Sequence, residues 1–269
     1  MKIKLLVALL LMFNESAFAG SGEPRFGDEK AIKEAKKKAV VKIIHEYHDG
    51  RKEEGTGTFI GKGLIITNYH VMKAYLEGKT KSTRVLDWRG GAASKVSIGN
   101  CGGQNQDIDL CVIKVEGLEL QYPFALYERE FRSTYDIVGY GYCMSKNNLS
   151  SWEGKVLNKI ENTGESVRDY GSKINRNTQT YEVSMKNCHG SSGGPVFDPM
   201  SGKLVAIFSR YYYSDYDKSK SLDTIMKNAK FTVITSLEID NFVKASSEFR
   251  EIASEKINKE RYLADPFMP

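Results

Sequence analysis

Several features that mark large classes of proteins are missing from this sequence. Only four of the 269 residues are cysteines, and no two form a C-x-x-C pair, which argues against a structural zinc site. His45 and His48 lie three apart on an expected strand and face opposite sides, so no metal site is expected there either. No apolar run after Ala19 is long enough to span a membrane. The net charge of +5 is too small to indicate nucleic-acid binding. Repeats and low-complexity linkers are also absent.

The beginning of the chain has the pattern of a secretory signal peptide. Lys2 and Lys4 flank the start of a short apolar run, Leu5 to Phe13, and Ala17-Phe18-Ala19 is a small-x-small cleavage site. The apolar run is too short for a stable anchor, although an uncleaved anchor is the alternative. We therefore predict a signal peptide over residues 1–19, a secreted or periplasmic protein, and no membrane association after cleavage.

Most of the remaining chain has the pattern of an all-β protein. Residues 20–38 form a charged leader, in which Asp28 to Lys38 is expected to be a short solvated helix or a loose segment with its lysines on a solvated face. From Ala39, short β-rich segments alternate with glycines and polar turns, which is typical of a sandwich or barrel. A seam at Glu116 to Ala125 separates two series of strands. The first series is Val40–Ile44, Thr56–Ile60, Leu64–Thr67, Arg84–Trp88, Lys95–Ile98 and Leu110–Val115; the second is Tyr135–Gly141, Ser151–Ile160, Thr178–Met185, Val196–Asp198, Lys203–Ser209 and Phe231–Ile234.

A helix is predicted near the C-terminal end. No helical period of useful length is present from Ala39 to Val115. After Ile234, Thr235-Ser236-Leu237-Glu238 has the form of a capping box, and apolar residues from Leu237 to Ile252 recur at helical spacings. We predict a helix packed on the β domain, with helix and tail over residues 236–269.

The most informative stretch is Asn187-Cys188-His189-Gly190-Ser191-Ser192-Gly193-Gly194-Pro195. Gly193 and Gly194 remove side chains where the backbone must turn sharply and approach other main chain. Gly190 leaves its N–H free to point at a small anion, close to the hydroxyl of Ser192. An acyl-transfer nucleophile needs an exposed hydroxyl with backbone donors beside it. A glycine-rich hairpin turn is the alternative.

A base and an acid are also present. His70 follows the strand Leu64–Thr67 and is expected at the end of that strand, where an imidazole can face a cleft. Asp109 opens an apolar strand that ends at Val115. Asp107 competes with Asp109 for the same role, but Asp109 is favoured because it abuts the strand without a break. The chain order is therefore His, Asp, Ser.

His70, Asp109 and the Gly190-x-Ser192-Gly193-Gly194-Pro195 motif resemble the chymotrypsin/trypsin-type serine proteases. The short loops and the segment Thr67-Asn68-Tyr69-His70-Val71 resemble bacterial members, the HtrA-type and glutamyl endopeptidase groups. The resemblance implies two antiparallel six-stranded β-barrels, over about residues 39–118 and 122–235, in a protease domain of residues 39–269.

The resemblance also implies a role for each residue. Ser192 is the nucleophile, His70 the general base, and Asp109 the group that orients the imidazole. The N–H groups of Gly190 and Ser192 form the oxyanion hole. Proteins or peptides are the substrates, no metal or organic cofactor is required, and the resemblance makes no prediction about oligomeric state.

By the same resemblance, Lys186 lies near the floor of the specificity pocket. Asn187 and Ser209-Arg210-Tyr211 form its walls, and His189 borders the substrate. The alternative is that Lys186 and Arg210 point into solvent.

The resemblance further implies a disulfide between Cys143 and Cys188, because it brings the segment before Cys143 beneath the loop that precedes the nucleophile. Disulfides are compatible with an exported chain. Pairing of Cys101 with Cys111 is one option, and four free or differently paired thiols are the alternative.

Two departures from the family pattern do not affect the catalytic residues. Ser191 stands where proteases activated by N-terminal trimming carry an aspartate, so activation is not expected to depend on a buried new N-terminus. The residues from Lys244 to Pro269 are too few for the PDZ domain of HtrA-type members.

The sequence thus predicts an exported serine endopeptidase that acts through a Ser-His-Asp triad and an acyl-enzyme. The main alternative is a trypsin-fold protein that binds partners without cleaving them. A missing triad residue would favour that alternative, and none is missing. A serine esterase is the other alternative, but such enzymes usually carry Ser, Asp and His in that order on an α/β fold.

Overall fold

The computed structural model describes residues 34, 36–61, 63–102, 108–118, 133–144, 146–160, 180–212 and 230–245, with the backbone alone at residues 160, 210–212, 230, 244 and 245. The chain divides into two units, Met1–Ala35 and Lys36–Pro269, and the architecture below is that of the second. The expected signal peptide, most of the leader, much of the seam and the C-terminal tail lie outside the described residues.

The first half of this unit is an antiparallel six-stranded sheet. Its strands are β1 (Val40–Tyr47), β2 (Lys52–Gly61), β3 (Leu64–Thr67), β4 (Thr80–Leu86), β5 (Lys95–Cys101) and β6 (Cys111–Glu116). They are ordered β4-β1-β2-β3-β6-β5, so the sheet is a half-barrel that does not close through a ladder between β4 and β5. An isolated bridge joins Leu86, at the end of β4, to Ala92 in the connection to β5. All six strands of the first expected series are present, with ends that differ by a few residues.

A short helix, α1 (Tyr69–Leu76), lies between β3 and β4. The sequence pattern shows no helical period between Ala39 and Val115, and the expectation of strands alone in this stretch is wrong here. The helix has eight residues and buries only Met72 fully, so too few apolar residues recur for a helical period to show. His70 therefore lies in the first turn of a helix and not at the end of a strand.

The second half is a closed antiparallel barrel. Its strands are β7 (Asp136–Tyr142), β8 (Leu149–Ile160), β9 (Thr180–Val183), β10 (Pro195–Phe197), β11 (Leu204–Tyr212) and β12 (Lys230–Thr235), in the order β10-β11-β12-β9-β8-β7. The helix α2 (Ser236–Ala245) follows directly. The Thr235 hydroxyl accepts a long hydrogen bond (3.5 Å) from the N–H of Glu238, which is half of the predicted capping box.

A shared apolar core fixes the two halves against each other. One buried cluster contains Ile66 and Leu110 of the half-barrel together with Phe197 and Ile207 of the closed barrel. Phe242 of α2 packs in the same cluster. Each such side chain contributes about 1.5–3 kcal/mol when it leaves water. The strand ends that carry the candidate site are therefore held at the junction of the halves by side chains from both.

The leader ends inside the packed unit and not in solvent. Lys36 is only 4% exposed, and its Nζ lies 5.4 Å from the centroid of the Phe197 ring. Burial lowers the pKa of Lys36, and the nearby carboxylate of Asp198 partly opposes that shift. The expectation that the lysines of residues 20–38 are solvated is therefore wrong for Lys36. None of the described helices is long and apolar enough to cross a membrane.

Candidate active site

His70 and Asp109 meet because β3 and β6 are antiparallel neighbours. Thr67, the last residue of β3, pairs with Cys111, the first residue of β6. The residues just after β3 therefore lie beside those just before β6. His70 Nδ1 is 2.8 Å from Oδ2 and 3.1 Å from Oδ1 of Asp109, and the His70 N–H donates to Oδ1 at 3.0 Å. Asp107 lies outside the described residues.

This arrangement selects one tautomer of the imidazole. A carboxylate can only accept, so Nδ1 carries the proton and donates it to Asp109. Nε2 is then left with a lone pair that can accept a proton. The His70 side chain is 34% exposed and that of Asp109 only 10%, so the base is accessible while its partner is buried.

Both halves of the molecule hold Asp109. Asn68, at the start of α1, donates from Nδ2 to the Asp109 carbonyl at 2.9 Å. Ser209, on β11 of the closed barrel, donates from its hydroxyl to Asp109 Oδ2 at 3.2 Å. The resemblance places Ser209 in the pocket wall and assigns it no contact with Asp109. Reasoning from the sequence missed this contact because it depends on how the two halves pack.

Ser192 lies on the opposite side of the site. It is half-buried, and its hydroxyl donates to the backbone carbonyl of Ser209 at 3.1 Å. Ser209 thus contacts two of the three predicted catalytic residues, Asp109 through its side chain and Ser192 through its carbonyl.

The loop around Ser192 has the conformation that its glycines predict. Gly190 has φ +93° and Gly193 has φ +85°, which is the left-handed region that favours glycine. A Cβ at Gly193 would overlap the carbonyl of Thr56 and the hydroxyl of Thr67. Within the described residues, neither the Gly190 N–H nor the Ser192 N–H donates a hydrogen bond, so both are available to an anion.

Main-chain hydrogen bonds set the direction of these two N–H groups. The carbonyl of His189 accepts from the Met144 N–H at 2.7 Å, and the carbonyl of Ser191 accepts from the Gly194 N–H at 2.9 Å. Because C=O and N–H point to opposite sides of a trans peptide, these bonds direct the N–H groups of Gly190 and Ser192 away from the bonded partners.

Ser191 is held within the loop. It is 2% exposed, its hydroxyl donates to the carbonyl of Cys188 at 2.7 Å, and its N–H donates to the same carbonyl at 3.2 Å. These local bonds occupy the position for which trimmed proteases use an aspartate. They order this part of the loop, and activation without N-terminal trimming stays a prediction.

Both pairs of cysteines form disulfides. Cys143, just after β7, is bonded to Cys188 of the loop, with Sγ atoms 2.05 Å apart and Cα atoms 5.4 Å apart. Cys101 and Cys111 face each other in the register of β5 and β6 and form the second disulfide. The first bond ties the loop before Ser192 to the end of a barrel strand.

The residues expected around the specificity pocket are only partly described. Lys186 is exposed, while Asn187 and His189 are half-buried. Burial lowers the pKa of His189, so this imidazole is neutral at neutral pH. The side chains of Arg210 and Tyr211 lie outside the described residues, and the predicted pocket remains a prediction.

Three threonines that the sequence analysis did not single out contact the loop. Thr56 donates to the carbonyl of Gly190 at 2.6 Å, and Thr58 donates to the carbonyl of Gly193 at 2.8 Å. Thr67 donates to the carbonyl of Thr56 at 2.7 Å. They lie on strands whose sequence pattern predicts only ordinary buried strands, so no local feature of the sequence predicts these contacts.

Comparison with known proteins agrees with this geometry. The chain matches the family model of the trypsin-like peptidase domain over residues 55–207, which is more than half of its length. No curated protein matches the chain.

Solved structures with the same fold include the Rv3671c protease of M. tuberculosis. An inactive mutant form from strain H37Rv is 18% identical with a TM-score of 0.59, over 83% of this chain and 93% of that one. The active form is 17% identical with a TM-score of 0.60, over 80% and 84%. The HtrA-type protease AlgW with a tripeptide is 15% identical with a TM-score of 0.59, over 82% of this chain and 64% of that one.

At these identities the similarity to solved structures shows the fold alone, whereas the family model covers the segments that hold both His70 and Ser192. The chain therefore belongs to the trypsin-like peptidase domain family, and it is a serine endopeptidase.

Proposed function

We propose that this serine endopeptidase is exported and cleaves protein or peptide substrates through a Ser192-His70-Asp109 triad and an acyl-enzyme. One observation carries the proposal. The imidazole of His70 is fixed by Asp109 through Nδ1, which leaves Nε2 as a base. Ser192 supplies the nucleophile, and the N–H groups of Gly190 and Ser192, which donate to none of the described residues, supply the oxyanion donors.

The first half of the reaction forms the acyl-enzyme. Ser192 Oγ attacks the carbonyl carbon of the peptide bond, and its proton passes to His70 Nε2. The carbonyl oxygen becomes an oxyanion that the N–H groups of Gly190 and Ser192 stabilise. The C–N bond then breaks as Nε2 returns the proton to the leaving amine. Asp109 stabilises the charged imidazolium throughout and is not protonated.

The second half repeats these steps with water. A water molecule gives a proton to His70 Nε2 and attacks the ester carbonyl, and the oxyanion forms in the same place. The bond between the acyl carbon and Ser192 Oγ breaks, Oγ takes the proton back from Nε2, and the carboxylic acid product leaves.

The serine hydroxyl must turn before the first step. It donates to the carbonyl of Ser209, and in the proposed cycle it leaves this carbonyl and turns towards the imidazole by rotation about χ1. Catalytic hydrogen bonds are often long or misaligned without substrate, so this rotamer is compatible with a working triad. In the proposed cycle, substrate binding favours the rotated hydroxyl.

Two features of the chain, its first 19 residues and its disulfides, support export. The first 19 residues have the pattern of a signal peptide. Two disulfides pair all four cysteines, and such bonds persist in oxidising compartments such as the periplasm or the extracellular space.

A fluorophosphonate probe tests the catalytic assignment without knowledge of the substrate. Protein that begins at Gly20 should be labelled at Ser192, and digestion of a diverse peptide library should give defined cuts by mass spectrometry. Ser192→Ala should lose labelling and reduce turnover by several orders of magnitude. Ser97→Ala is the control, because it removes a hydroxyl of β5 that lies outside the site and leaves the nucleophile.

Labelling of another residue, or full peptidase activity in Ser192→Ala, would rule out the proposed triad. Stable binding of peptides without any cleavage by wild-type protein would instead favour a binding protein on the same fold.

A further inference from the structure

Thr56 makes more contacts with the nucleophile loop than its place in a core strand suggests. It lies on β2 of the half-barrel and is fully buried. Its N–H donates to the carbonyl of Ser192 at 3.0 Å. Its hydroxyl donates to the carbonyl of Gly190 at 2.6 Å and accepts from the N–H of Tyr142 at 3.0 Å. The hydroxyl therefore joins β2, the end of β7 and the loop at one point.

The bond to Gly190 completes a set of three. Three successive peptide units run from His189 to Ser192, and each has its carbonyl held. The first and third are held by the N–H groups of Met144 and Gly194. The middle one is held by the hydroxyl of Thr56, and among the described residues this is the one bond of the three that comes from a side chain.

The middle unit determines how the two oxyanion donors converge. The N–H of Gly190 lies immediately before it, and the N–H of Ser192 lies in the unit immediately after it. Because Gly190 has no Cβ, its backbone dihedral angles are weakly restricted, and its φ of +93° is one of several conformations open to glycine. The hydroxyl of Thr56 removes this freedom by fixing the Gly190 carbonyl against the other half of the molecule.

We propose that the Thr56 hydroxyl is a positioning group for the oxyanion hole, acting through the Gly190 carbonyl. The inference rests on the function proposed above. It explains how the loop can be ordered without the charge pair that an aspartate next to the nucleophile would make. It also makes the oxyanion hole dependent on the docking of the half-barrel onto the closed barrel, since Thr56 belongs to the first and Gly190 to the second.

Thr58 provides the matched control. It lies two residues further along β2 on the same face, is also fully buried, and donates to the carbonyl of Gly193 at 2.8 Å. That carbonyl lies after the nucleophile, and neither oxyanion N–H belongs to its peptide unit. Loss of either hydroxyl leaves one buried loop carbonyl without its side-chain donor. Loss of the Thr56 hydroxyl also leaves the Tyr142 N–H without its acceptor, so Thr56→Val should cost more stability than Thr58→Val.

The experiment compares Thr56→Val, Thr56→Ala, Thr56→Ser and Thr58→Val. Activity is measured with one peptide cut by wild type in the library digest and as the rate of Ser192 labelling by a fluorophosphonate. Thr56→Val and Thr56→Ala should lower kcat and the labelling rate by about 10- to 100-fold with KM within about threefold, because the donors act in the transition state. Thr56→Ser keeps the hydroxyl and should stay within about threefold of wild type.

Stability is measured on the same samples, so that a folding defect is not read as a positioning effect. Thr58→Val should also lose thermal stability, though less than Thr56→Val because only one buried group loses its partner, and it should keep kcat within about threefold. If Thr56→Val does not fold, the Ser and Ala variants still differ by one oxygen atom and carry the comparison.

Equal kcat in Thr56→Ser and Thr56→Ala, or an equal loss of kcat in Thr58→Val, would overturn the inference while Ser192 remains the labelled nucleophile. Absence of labelling and cleavage in wild type would overturn the proposed function, and the inference would fall with it.

Discussion

The two sides of the candidate site are built from different groups. On the acid–base side, formed by His70, Asp109 and Ser209, the bonds that position the imidazole and its carboxylate run mainly between side chains. On the oxyanion side, formed by residues 188–194, most bonds run to main-chain carbonyls. The first side depends on which side chains are present. The second depends on which backbone conformation the loop can hold.

The difference has a chemical reason. In the proposed mechanism a proton moves to and from the imidazole, so the acid–base side needs titratable groups at fixed distances. The oxyanion side needs only two aligned N–H groups, which every residue except proline carries. Substitutions should therefore act by chemistry on one side and by geometry on the other.

The largest effect is expected from Asp109→Asn on the acid–base side. An amide can present its NH₂ to His70 Nδ1, which would place the imidazole proton on Nε2 and leave no base for Ser192. Trypsin-type enzymes lose about 10⁴-fold in kcat from this change, and we expect a similar loss in kcat/KM here. The measurement is steady-state hydrolysis of a peptide selected from the library digest.

Asp136→Asn is the control for this prediction. Asp136 is an exposed carboxylate of the closed barrel, paired with Lys155 at 2.6 Å and outside the site. It should leave kcat/KM within about twofold, since exposed ion pairs contribute little. A loss below about tenfold in Asp109→Asn would contradict the assignment of the tautomer to Asp109.

A smaller effect is expected from Gly190→Ala on the oxyanion side. The added Cβ would lie 2.8 Å from the Tyr142 carbonyl oxygen and 2.9 Å from the Met144 nitrogen, on a backbone with φ +93°. The loop must shift, and loss of one aligned donor typically lowers kcat by about 10²- to 10³-fold. Ser192 and His70 keep their chemistry, so KM should change much less than kcat.

Gly50→Ala is the control that separates the effect of backbone strain from the effect of the location of Gly190 in the loop. Gly50 also has a positive φ, +82°, but a Cβ there meets nothing within 4 Å. Both variants carry the cost of a left-handed alanine, about 1–2 kcal/mol of stability, but only Gly190 lies in the loop. Similar kcat values for the two variants would show that the oxyanion side does not depend on this geometry.

The same contrast explains how much could be predicted from the sequence. The strands of both halves and the C-terminal helix follow from β-rich runs, turn residues and a capping box, which are local signals. His70 and Asp109 could be selected because each is a titratable residue next to such a strand. Thr56 and Ser209 give no such signal, because their partners are set by the packing of one half on the other. The helix α1 could not be predicted because it is too short for a periodic pattern. The burial of Lys36 could not be predicted because it depends on Phe197, which lies far along the chain.

The smallest expected effect compares one buried histidine from each half. His45, on β1 of the half-barrel, is 1% exposed, and its Nδ1 lies 2.7 Å from the Thr83 hydroxyl. His189, on the oxyanion side, is half-buried. Burial lowers the pKa of both imidazoles below the usual 6.5. For His45 a hydrogen bond to the Val71 backbone and, after it, the Glu53 carboxylate oppose the shift.

The direction of the pH dependence follows from these shifts. As the pH falls through about 6.5, the unfolded chain takes up a proton on each imidazole while the folded chain does not, so the free energy of unfolding decreases until the lowered pKa is reached. His45→Asn and His189→Asn should each reduce the loss of stability between pH 7.5 and 5.0, measured by urea denaturation. The reduction should be larger for His45, which is the more deeply buried of the two. His189→Asn should also keep kcat within about threefold at pH 7.5, because the His189 carbonyl and not its imidazole holds Met144. A larger loss of kcat, or a greater stability change from His189→Asn than from His45→Asn, would mean that side-chain chemistry matters on the oxyanion side as well.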